Sequence, residues 1–334
     1  MKKRSKIFLT FLQLCLAAGL FVFLIMKIDL ASALDSLRKT HLGWLALAFA
    51  WQISLYLFRA CFLYWLARED SSLTPLRIFR YNLVGTYFSN FFPSQVGGDL
   101  VRSAYFWPYF RSGSKALAII IFQRLLGFCT MLLLGLGAAL IVLPPSTAFI
   151  IGLWALVFGG VLLSLFLYFR KKGKITEERA NRHRQPLRAF FKTLLALQSY
   201  HANRRKLLTA IFFALCISLW TLFLYWPITK AIDPGVPLSA ILVASSATLI
   251  SGFIPLTPGN IGISEGAFVG AAALVAIPAE TSLAVALLSR AMLILVSLFG
   301  GILYFLSPIK VSKIHQNYFE PTGNPDKPGK EKSD

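Results

Sequence analysis

Apolar residues run along this chain in blocks of about 20, the length a helix needs to cross a hydrocarbon core. Six such blocks predict full spans: Ile7 to Met26, Leu42 to Leu66, Lys115 to Leu143, Phe149 to Phe169, Leu207 to Ile228 and Thr281 to Phe305. Two further apolar regions, Phe79–Phe110 and Leu238–Pro278, are broken by proline and glycine. Proline removes a backbone donor and glycine frees the backbone, so each region predicts two short helices around an irregular tip. Such a tip is tolerated at membrane depth only where protein or a water-filled cavity surrounds it. Pro93, Gly97 and Gly98 mark the first tip, and Pro258, Gly259 and Gly262 the second. Re-entrant hairpins and pairs of crossing helices fit the pattern equally. The fold predicted is an all-α polytopic integral membrane protein with about six full spans and two broken hairpins.

The pattern is duplicated. Asp99 and Arg124 recur 166 residues later as Glu265 and Arg290, and Leu117-Ala118, Leu132 and Gly135 recur as Leu283-Ala284, Leu298 and Gly301. Ser89-Asn-Phe-Phe-Pro93 resembles Ser251-Gly-Phe-Ile-Pro255, and Ile53-Ser-Leu-Tyr56 resembles Ile217-Ser-Leu-Trp220. Repeat 1 spans about 42–143 and repeat 2 about 207–306, within a membrane domain of 1–308. Paired helices in opposite predicted directions make this an inverted repeat, and matched Pro/Gly breaks in such halves point to a binding site between them.

Composition agrees, with 56% hydrophobic and 14% aromatic residues. The net charge of +20 sits at the N-terminus, in segment 170–206 and beyond Pro308. Segment 170–206 holds twelve Lys/Arg against Glu177 and Glu178. The positive-inside rule then makes that loop, both termini and the charged tail 309–334 cytoplasmic, the tail being too polar to fold. The loop suits anionic lipid headgroups. It lacks the interleaved aromatics of a nucleic-acid surface, so no nucleic acid is expected. The N-terminal basic run and Ala31-Ser-Ala33 resemble a signal peptide, but the apolar block is too long, and an uncleaved first helix is expected. Cys15, Cys61, Cys129 and Cys216 are scattered through the spans without metal-binding spacing. No P-loop, histidine cluster or acidic cluster occurs, so neither metal nor cofactor is expected.

A charge deep in hydrocarbon costs about 2.5–3.5 kcal/mol on insertion scales, which makes the intramembrane charges candidate site residues. Asp99 and Glu265 can pair with Arg124 and Arg290, and Arg102 stands one helical turn beyond Asp99. The arginines offer planar forks for a lipid phosphate, and Asn90 and Asn260 offer polar groups at the tips. Arg59 fits either a site role or a side chain reaching to the interface.

Phe92-Pro-Ser-Gln-Val-Gly-Gly-Asp-Leu-Val-Arg102 and Pro258-Gly-Asn-Ile-Gly-Ile-Ser-Glu-Gly266 resemble the two signature segments of the lysylphosphatidylglycerol synthase transmembrane family. The resemblance extends from about Ser5 to Pro308. It implies a flippase-like protein of a bacterial or archaeal plasma membrane that moves a lipid or lipid-linked group between leaflets. It would make Gly97, Gly98, Asp99, Arg102, Pro258, Gly259, Gly262 and Glu265 the signature positions. The soluble aminoacyl-transferase domain of bifunctional members has no counterpart in 309–334, so aminoacyl transfer is not expected. A membrane-embedded transferase using a polyprenyl-phosphate or phospholipid substrate, with Asp99 or Glu265 as base, is the alternative. A non-catalytic partner of a lipid-modifying enzyme is a third.

Overall fold

The computed structural model describes residues 40–69, 71–90, 92, 96–110, 113–146, 204–253 and 257–306. The predicted spans Ile7–Met26 and Phe149–Phe169, nearly all of loop 170–206, the tail 309–334 and Pro93 lie outside them. The described part of repeat 1 is α1 (Leu42–Ala67), α2 (Pro75–Ser89), α3 (Val96–Phe106) and α4 (Gly113–Val142), with a short 3-10 turn at Trp107–Tyr109. Repeat 2 is α5 (Arg204–Phe223), α6 (Tyr225–Ile232), α7 (Leu238–Ser251), α8 (Ile263–Leu274) and α9 (Ala279–Leu306). Among the described residues, four stretches are long and apolar enough to cross a membrane: α1, α4, α5–α6 together, and α9.

The broken regions are hairpins. The 14 residues of α7 rise about 21 Å and the 12 of α8 about 18 Å at roughly 1.5 Å each, short of a core about 30 Å thick. Helix α7 packs along α8, as α2 does along α3, so each pair folds back on itself instead of running end to end. Thr74 caps α2, its Oγ1 accepting from the Arg77 N–H at 3.4 Å just ahead of a first-turn proline. One expectation changes in detail. The span Leu207–Ile228 is interrupted at Leu224, because Pro227 has no N–H for the carbonyl of Phe223.

The repeats are inverted, as α1 and the α5–α6 span show by running antiparallel. The His41 N–H donates to Ala231 O (3.0 Å) near one end, and Lys206 pairs with Glu69 at the other. Between them Trp51 and Trp220 stack at 4.3 Å, each indole N–H donating across the interface, to Trp220 O and Ser54 Oγ. The repeats also exchange hairpins: α2 lies against α9, and α7 against α4. Equivalent glycines mark both crossings. A Cβ on Gly300 would strike the Leu83 carbonyl and one on Gly301 the Tyr87 ring, while one on Gly135 would sit 3.0 Å from Ser246 Cβ. Lipid tails are as apolar as leucine, so close backbone approach of this kind holds membrane helices together better than apolar burial does.

Each repeat has its own core, built around Phe62, Ile78, Phe106 and Ile119 in one and Ile228, Ile241, Phe268 and Val285 in the other. Each core also takes in residues from the first helix of the opposite repeat, Ala210 and Ile217 in one and Ala48 in the other. The hairpin tips are thereby driven together, and the Gly259 N–H donates to Phe92 O at 3.2 Å.

Candidate functional site

Each acid occupies the first turn of a half-length helix, where the helix dipole favours a negative charge. Each arginine follows on the next long helix. Glu265 lies nine residues before the end of α8 and Arg290 eleven after the start of α9, which puts both about 14–17 Å from that end. That is about half the thickness of a hydrocarbon core, and the 25-residue spacing is what brings them level.

In repeat 2 the pairing is one to one. Arg290 Nε donates to Glu265 Oε1 at 2.5 Å. Its Nη1 donates to Gly259 O (2.8 Å), and its Nη2 to Asn260 O (3.1 Å) and Ser264 Oγ. The other carboxylate oxygen of Glu265 accepts from the Gly262 N–H at 2.7 Å, closing the start of α8. The turn between Thr257 and Gly262 needs positive φ at Gly259 (58°), Asn260 (60°) and Gly262 (81°), a region that glycine reaches freely and asparagine tolerates. Arg290 therefore latches the tip, with four of its five N–H groups committed.

Repeat 1 is built differently. Asp99 is shared by two guanidinium groups, Arg102 and Arg124. Arg102 also donates to Asn82 Oδ1 (3.2 Å), and the Arg124 guanidinium lies 5.5 Å from the ring of Phe253, across the repeat boundary. Arg59 has no ion-pair partner among the described residues; its guanidinium stands 6.0 Å from the Tyr56 ring.

A cavity of about 270 Å³ opens between the repeats and is lined by all four arginines, with Glu265. Gly259 and Asn260 line it too, from the second tip. Buried Asn260 Oδ1 has no hydrogen-bond partner. Of the other sequence candidates, Asp99 stands behind Arg102 and Arg124, and Gly97 and Gly98 pack in the first turn of α3 against Phe92 and Ser89. Asn90 Nδ2 donates to Ser297 Oγ at 2.9 Å, tying the first tip to α9. Pro258 is buried in the second tip.

Gln52, Gln123 and Ser289 also line the cavity and escaped the reading of the sequence; their signal was a polar side chain inside an apolar span. No group of three or more His, Cys, Asp or Glu occurs among the described residues.

The family described as the lysylphosphatidylglycerol synthase TM region matches residues 10–301, and the chain belongs to it. Its role is accordingly a membrane lipid-related one, and membrane lipids are what it interacts with. No curated protein and no solved structure matches the chain.

Proposed function

We propose that the protein is a lipid translocase that holds an anionic headgroup in the cavity between its two hairpins while the acyl chains stay in lipid. The observation that carries this reading is the charge of the cavity. Among the described residues, Arg59, Arg102, Arg124 and Arg290 are met by two carboxylates, Asp99 and Glu265, which leaves an excess of two positive charges at the cavity. Isolated charges there are costly, and an anionic ligand offsets them. Pseudo-symmetric halves meeting at broken helices supply an element that can rock about such a site. In this reading Arg102 and Arg124 hold the phosphate, with Arg290, Asn260 and the glycine-rich tip shaping its pocket. Asp99 and Glu265 keep the arginines in place when the site is empty.

The transferase reading asks Asp99 or Glu265 to act as a base, yet both are engaged by guanidinium groups. The experiment is reconstitution into vesicles carrying an isotopically marked anionic phospholipid. Faster movement of unmodified lipid between leaflets supports translocation; a chemically altered lipid supports the transferase. No movement and no alteration of any lipid tested overturns both. A plasma-membrane location with cytoplasmic termini fits the basic segments and belongs to the same proposal.

A further inference from the structure

The excess charge is confined to one repeat. At the 166-residue shift Arg102 corresponds to Phe268, and at the 164-residue shift of Ile53-Ser-Leu and Ile217-Ser-Leu, Arg59 corresponds to Phe223. Repeat 2 thus has one arginine on one acid, and Phe268 stacks on Tyr225 at 5.4 Å where repeat 1 has Arg102. Repeat 1 brings three guanidinium groups to the cavity and sets one carboxylate, Asp99, against two of them. Arg102 and Arg124 are partly neutralised by Asp99; Arg59 is not, and it lines the same cavity. Like charges gathered in a poorly polarisable interior are unstable together unless a counter-charge of matching size enters. One carboxylate among three guanidinium groups leaves room for two negative charges.

We infer that Arg59, Arg102 and Arg124 form a seat for a doubly charged phosphomonoester on a lipid, and that the site prefers it to the singly charged phosphodiester of an ordinary phospholipid. A terminal phosphate presents three oxygens, enough for three forks, and carries close to two charges once its second proton has left. A diester presents two free oxygens and one charge. The inference rests on the translocation reading only in taking this cavity as the headgroup site. The repeat 2 wall, with Phe268 and with Arg290 held on Glu265, adds no net charge and faces the rest of the ligand.

The test is a set of thermal-shift titrations of the full chain in neutral detergent. The probes are dioctanoyl phosphatidic acid, farnesyl phosphate, dioctanoyl phosphatidylglycerol and inorganic phosphate. They are run at about pH 5 and about pH 8, on either side of the second ionisation of a phosphomonoester at about 6. At the higher pH the two lipid monoesters should bind about tenfold or more tighter than the diester, the size of one charge-assisted contact. At the lower pH the monoester is a monoanion and the gap should close. Arg59→Gln should narrow the gap at the higher pH.

Equal affinities at the higher pH, a gap of the same size at both pH values, or a full gap in Arg59→Gln would each overturn the inference. Inorganic phosphate binding as tightly as the lipids would overturn the lipid part of it. The pH comparison needs wild type alone, so it stands even where Arg59→Gln does not fold. A diester that binds as well as the monoester and still crosses vesicles sinks the preference and leaves translocation standing. A clear preference with no lipid movement does the reverse.

Discussion

Replacing Glu265 by Gln keeps the side chain's shape and removes its charge. The amide oxygen can still accept from the Gly262 N–H, so the start of α8 keeps its cap. Arg290 loses its carboxylate and retains only carbonyl and hydroxyl partners, in a site where Glu265 is 4% exposed. Breaking a buried pair from one side costs about 3–5 kcal/mol. At roughly 2–4 °C per kcal/mol this lowers the melting temperature by about 6–20 °C. Arg290→Gln strands Glu265 and frees the Gly259 and Asn260 carbonyls, so its cost is similar. The double variant strands neither charge and should recover about 2 kcal/mol or more of the summed loss. Asp99 differs because two arginines share it. Arg124→Gln leaves it paired with Arg102 and should be mild, whereas Asp99→Asn leaves three guanidinium groups unneutralised and should be severe. Thermal unfolding of the purified variants in neutral detergent measures all of this. Additive losses at 265 and 290, or an Arg124→Gln as damaging as Asp99→Asn, would refute the two-network account.

Arg59→Gln should raise the melting temperature of lipid-free protein, since it removes from the arginine-lined cavity a charge with no ion-pair partner among the described residues; a fall would show a partner for Arg59 in the empty state. Gly300→Leu should cost about 3 kcal/mol or more in unfolding measurements, because even its Cβ meets the Leu83 carbonyl at the crossing of α2 and α9. Cysteines placed at Ser72 and Lys206 should react from one side of the membrane and one at Gly235 from the other, as antiparallel α1 and α5–α6 require. The proposed topology has the first side cytoplasmic, by the positive-inside rule.

The acid–arginine pairs were legible because the spacing repeats and because an apolar background makes every charge conspicuous. The structure joins both pairs and folds α2 on α3 and α7 on α8, with α7 and α8 each shorter than a full crossing needs. What α1 does with Arg59 was not legible. Gln52 and Arg59 stand two turns apart on one face of that otherwise apolar helix, but nothing in its pattern tells what that face meets. The exchange of hairpins was equally hidden, since repeat symmetry does not say which hairpin lies against which long helix. The imbalance between repeats was within reach: lining up Arg102 with Phe268 and Arg59 with Phe223 needs only the shifts already visible. The break at Leu224 was also signalled, by Pro227 four residues beyond Phe223.

Photo-crosslinking would show whether a lipid headgroup occupies the cavity between the hairpins. An anionic lipid with a photoreactive group beside its phosphate would be activated on the protein in vesicles, and the modified residues mapped by mass spectrometry. The account predicts labels on cavity residues from both repeats, among them Tyr56, Arg124, Phe253 and Phe268, suppressed by excess unlabelled lipid phosphate. Labels confined to outward-facing side chains such as Leu133, Leu140, Phe299 and Ile302 would contradict it.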